Sequence, residues 1–169
     1  MHAFHPRWPD DLSDWPIADL GEFRFTSARD VVRFAELEPA TTWRTWPEIW
    51  HLDHDGMFAC YSKGSSLDSV RTYAERPGVL LHCRETDLGY ECPDRWVILE
   101  PRHPGRDRYE VTEGDAAAFV TLRRRLGELG VSLLDVVVFD QERHWWSIHE
   151  LTTGTTNWPE PNDGPSPVA

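Results

Sequence analysis

The stretch EGDAAAFVTLRRRLGELGVSLLDVVVFD, residues 113–140, decides the fold. Phe119, Leu122, Leu126 and Leu129 recur at intervals of three and four, the spacing of one helix face, and Gly130 stands where a helix C-cap belongs. SLLDVVVFD then switches to a β-branched apolar run, which predicts a strand. HWWSIHEL, residues 144–151, predicts a second strand joined through Asp140–Arg143. A long helix feeding a buried strand implies a sheet with helices packed on it.

The same pattern extends upstream. DRWVILEP (94–101), VLLHCRE (79–85) and MFACYSK (57–63) are short apolar runs that predict strands. FTSARDVVRFAELEP (25–39) predicts a helix with Ser27 as a cap and Pro39 as its end. SSLDSVRTYAE (65–75) predicts a short helix stopped by Pro77-Gly78. Trp43, Trp46 and Trp50 have helical spacing, but Pro47 interrupts them, so a helix is expected to begin at Pro47. The expected class is α/β (α+β), a single mixed sheet with packed helices. One domain spans 1–156, with an irregular arm over 1–22 and a Pro-rich disordered tail over 157–169.

Composition narrows the function. The 169 residues carry a net charge of −12, which argues against nucleic acid and favours a partner with a basic surface. Arg123, Arg124 and Arg125 form the one basic cluster, and consecutive positions spread round a helix. Nine Trp suit a core or a protein-binding surface. Three cysteines, Cys60, Cys83 and Cys92, form no Cys-x-x-Cys and give an odd count, so neither a disulfide framework nor a zinc knuckle is indicated. Their presence fits a reducing compartment, and the expected location is the cytoplasm. No apolar run of about 18 residues is present to span a membrane.

The candidate chemistry lies in RHPGRDRYEVTEGD, residues 102–115. An apolar strand runs into His103-Pro104, Thr112-x-x-Asp115 opens the long helix, and LLDVVVFD with Ser147 closes a hairpin. This order, with ERPGVLL at 75–81, resembles the JAMM/MPN metalloprotease-like domain, especially its RadC-like branch, over roughly residues 65–150. The resemblance implies a zinc ion held by two His and one Asp, a Glu as general base and a Ser at the oxyanion. Carried over, His103 and Asp115 are metal ligands, Glu75 is the base and Thr112 stands for the Ser, with His82 available from a neighbouring segment. Pro101 falls where the first His of the family motif belongs, and it cannot ligate a metal. The interval from His103 to Asp115 is one residue longer than the family's. The expectation is therefore a divergent JAMM/MPN-like domain that binds a protein and holds no cofactor. A zinc-dependent (iso)peptidase with a rearranged site is the alternative, and an acidic inhibitor or immunity protein is the third reading. Thr112-x-x-Asp115 also has a purely structural role open to it, a capping box. HLDHD (51–55) reads as a solvated turn ending at Gly56, with its side chains divided between faces.

Overall fold

The computed structural model describes residues 24–37, 47–63, 69–85, 89, 91–101, 111–139 and 144–160. Helix α1 (Ala28–Leu37) is followed by strands β1 (Glu48–Leu52) and β2 (Phe58–Lys63), then by α2 (Val70–Glu75) and a 3₁₀ segment (Pro77–Arg84). Strand β3 (Arg95–Pro101), helix α3 (Glu113–Glu128), β4 (Ser132–Phe139), β5 (Trp145–Ser147) and α4 (Ile148–Thr153) complete the order. The strands form one mixed sheet in the order β2-β1-β3-β4-β5. Only β3 and β4 are parallel, because α3 crosses between them; the other pairs are antiparallel.

The sheet is α+β and carries a core on each face. Alternation along β3 sends Trp96 and Ile98 toward α2, α3 and the 3₁₀ segment, and Val97 and Leu99 toward α1. Every residue of β3 is buried, as a central strand covered on both faces must be. On the α1 side, Phe25, Phe34 and Phe58 meet Trp50 edge-to-face with centroids 5.2–5.6 Å away. Trp96 and Trp158 are buried as well, so at least three of the nine Trp serve the core.

Four expectations change. Residues 48–52 form a strand, not a helix from Pro47. Sheet pairing on both sides outweighs the Trp spacing, and a short apolar run is ambiguous between the two periods. VLLHCR is a 3₁₀ turn, not a strand. Leu80 and Cys83, three apart, point inward while Val79, Leu81 and His82 are exposed, the period of three that a 3₁₀ helix imposes. The strand in HWWSIHEL ends at Ser147, whose hydroxyl accepts from the Glu150 N–H and starts α4. The tail does not begin at 157. Trp158 is buried, its N–H donates to the Thr26 carbonyl at 2.8 Å, and Arg95 reaches the Pro159 carbonyl at 3.0 Å. The arm over 1–22, the junction Asp140–Arg143, and residues 161–169 lie outside the described residues, as do Trp43 and Trp46.

Candidate metal centre

Thr112 and Asp115 come together, and they form a capping box. The Asp115 N–H donates to Thr112 Oγ1 at 3.3 Å, and the Thr112 N–H donates to Asp115 Oδ2 at 3.0 Å. Arg71 of α2 donates to Asp115 Oδ1 at 3.0 Å and to Thr112 Oγ1 at 2.5 Å. Both carboxylate oxygens of Asp115 thus carry protein donors, and the group locks α2 to the start of α3. Glu75 is exposed at the end of α2, and His82 is exposed on the 3₁₀ segment. Pro101 ends β3, and His103 lies outside the described residues. Glu100 is buried and accepts from the Val70 N–H at 3.3 Å.

A different set converges on the opposite side of the same core. His51, Cys60 and Cys92 place one donor atom each within 4.8 Å of one another, and all three are buried. Sheet register builds the first two. His51 pairs with Cys60 across β1 and β2, so their side chains share a face. The register then slips, so that Leu52 pairs with Phe58. This bulge sends Phe58 to the Trp50 face while Cys60 stays on the His51 face.

Cys92 arrives from the segment before β3, and its backbone is fixed. The Cys92 N–H donates to the Arg84 carbonyl at 2.6 Å, beside a bridge between Glu85 and Glu91. Trp96 Nε1 donates to the Pro93 carbonyl at 2.9 Å, and the Ser132 N–H donates to the Asp94 carbonyl at 2.7 Å. Trp96 also meets the His51 ring edge-to-face at 5.0 Å, walling the site. The Cys60 thiol donates to the Cys92 sulfur across 3.3 Å.

His51 divides its ring as a ligating imidazole does. Nε2 lies 2.9 Å from Ser62 Oγ, while Nδ1 is buried without a hydrogen-bond partner. A metal-bound His holds the ion on one nitrogen and is oriented through the other. A buried nitrogen left unpaired costs about 1–3 kcal/mol, which a ligand would recover. Burial lowers the His51 pKa to about 4 and leaves the ring neutral; the Pro93 carbonyl raises it against burial, but that carbonyl accepts from Trp96 and makes no well-formed hydrogen bond to Nδ1.

Burial also raises all three thiols. Cys83 goes to about 12, eased by the Ser62 hydroxyl and raised further by Cys92, which places it beside the same group. Cys60 is raised by burial and then by its contact with Cys92; Cys92 is raised by burial. Thiols of this kind stay protonated at neutral pH unless a cation stabilises the thiolate. Two thiolates and a neutral imidazole around a divalent ion make a net neutral unit, the charge state an apolar interior tolerates best. Sulfur and imidazole donors suit zinc.

A second buried polar group surrounds Asp135. Its carboxylate accepts from Ser147 Oγ at 2.6 Å, Trp158 Nε1 at 3.0 Å and the His149 N–H at 2.9 Å. Burial raises the Asp135 pKa to about 6 against those hydrogen bonds. Ser147 donates to a carboxylate and caps α4, and His149 is turned to the Asn157 carbonyl and Arg123. The arrangement holds β4, β5, α4 and the 157–160 segment together.

No protein-family model matches the chain, and no curated protein matches it in sequence. The convergence of His51, Cys60 and Cys92 had little sequence signal. The three residues span 42 positions, counted from 51 to 92, without a recurrent spacing, and HLDHD reads as a turn when taken alone. Asp53 to Gly56 do form that turn; His51 does not belong to it.

Proposed function

We propose that this chain is a metal-stapled α+β domain that works by binding a protein rather than by hydrolysis. The ion is zinc-like, and His51, Cys60 and Cys92 hold it. The observation that carries the reading is their convergence within 4.8 Å around an unpartnered, buried His51 Nδ1. The exposure of these groups supports a structural role: His51 is 0% exposed, Cys60 6% and Cys92 7%. Three protein donors leave the fourth tetrahedral position open, as at a catalytic zinc, and it is the burial of all three that sets this site apart from one open to substrate. The net charge of −12 favours a partner with a basic surface. A divergent JAMM/MPN-like ancestry is compatible with such a domain, with Asp115 serving helix capping instead of metal binding.

The test is zinc uptake by the reduced, metal-free chain. One equivalent is expected to bind, and His51→Ala and Cys60→Ser are each expected to weaken it at least 10-fold, while Asp115→Ala leaves it unchanged. Circular dichroism confirms that each variant is folded. Failure of the folded wild-type chain to retain zinc overturns the proposal.

A further inference from the structure

The sulfurs of Cys60 and Cys92 are 3.3 Å apart, enclosed, and approach from separate parts of the chain. A disulfide bond is about 2.0 Å long, so the pair needs to close by only about 1 Å. Cys60 sits within β2, and Cys92 lies outside the strands beside the exposed Glu91. Cys83, the third thiol, is directed toward Ser62 and His82, the latter at 3.5 Å. Two of the three cysteines are thus matched to each other, and both belong to the metal donor set.

We propose that Cys60 and Cys92 form a reversible redox pair, closed to a disulfide by a peroxide-class oxidant, and that closure withdraws both sulfur donors from the metal. The disulfide rests on the sulfur geometry alone; its consequence for metal rests on the zinc reading above. Cys92, in the small fraction that has lost its proton at any moment, attacks one peroxide oxygen. The O–O bond breaks and hydroxide leaves, giving a sulfenic acid. The Cys60 sulfur then attacks the Cys92 sulfur. The S–O bond breaks, and water leaves carrying the Cys60 proton. With the proton that Cys92 released, two thiols and one hydrogen peroxide give one disulfide and two waters. A thiol reductant reverses the change by exchange.

The experiment uses the full chain, reduced and freed of metal, then exposed to hydrogen peroxide. Mass spectrometry of the unreduced digest is expected to show the Cys60 peptide joined to the Cys92 peptide, with Cys83 still open to alkylation. Cys83→Ser is expected to give the same link. The oxidised chain is expected to take up less than about a tenth of the zinc bound by the reduced chain, and reductant restores it. A link that includes Cys83, a cross-link only between chains, or oxidation to sulfinic acid without a link overturns the redox pair. If the Cys60–Cys92 link forms but the folded, reduced chain binds no zinc, the redox pair stands and the zinc proposal fails. If zinc binds equally to both forms, the coupling fails while zinc binding stands.

Discussion

Asp115 and His51, each of a type that can ligate a metal, serve opposite ends. A carboxylate at the third position of α3 meets the Thr112 and Arg71 donors, and its lone pairs are spent on the protein. A histidine in the middle of β1 leaves one nitrogen unpaired inside the core. Only the second has coordination capacity to offer. Asp115→Ala is expected to cost about 1–2 kcal/mol, the usual range for losing a helix cap. The exposed Arg71 partner adds little to that. Urea denaturation reads the loss, and an unchanged midpoint would show that the box does not hold α3.

At the scale of elements, the β1–β2 hairpin sets the metal group. Its turn depends on Gly56, which has φ of +82°, the left-handed region that favours glycine. A Cβ there would also stand 2.9 Å from the Phe25 carbonyl oxygen, a backbone atom that cannot step aside. The Phe25 N–H in turn donates to the Gly56 carbonyl at 2.9 Å, joining the chain before α1 to the hairpin. Gly56→Ala is expected to destabilise by about 1–3 kcal/mol through strain and this contact. Its effect should reach zinc affinity as well, because the same turn fixes the His51–Cys60 register. A denaturation midpoint and a zinc titration on the same preparation check both. The long helix was the most legible element in sequence. α3 has its stripe in Phe119, Leu122 and Leu126 and its capping box in Thr112-x-x-Asp115, all local signals. Leu129 leaves the stripe because the helix has ended there and its side chain is exposed. The elements that read wrongly, residues 48–52, 77–84 and 148–153, are short, and their state depends on what pairs with, caps or covers them.

For the whole molecule, two buried groups make opposing demands on pH. His51 is lowered from 6.5 to about 4, so the stability of its neutral form is complete above pH 6.5 and is lost as pH falls toward 4. Asp135 is raised from 3.8 to about 6, so its protonated form favours folding at low pH and that contribution is lost as pH rises through 6. The slopes oppose each other between pH 4 and 6. His149, lowered by burial and then by Arg123, adds to the direction of His51. In metal-free protein, Asp135→Asn should expose a loss of stability on acidification of up to roughly 1.4 kcal/mol per pH unit for one group. His51→Gln should shift the slope the other way. Urea midpoints from pH 4 to 7 check the signs, and parallel curves for both variants would overturn this balance. No described helix is long and apolar enough to cross a membrane.

The sequence by itself determined the α+β class, the long helix and its cap, and the apolar strands β2, β3 and β4. Each is encoded in a local period or in residues a few positions apart. Tertiary structure alone decided that Glu48–Leu52 is a strand, that Trp158 belongs to the core and that the three donors meet. Those outcomes depend on strand register, on a bulge opposite Leu52 and on hydrogen bonds that pin the Cys92 segment. Such contacts join residues far apart in the chain, and no local pattern of side chains specifies them.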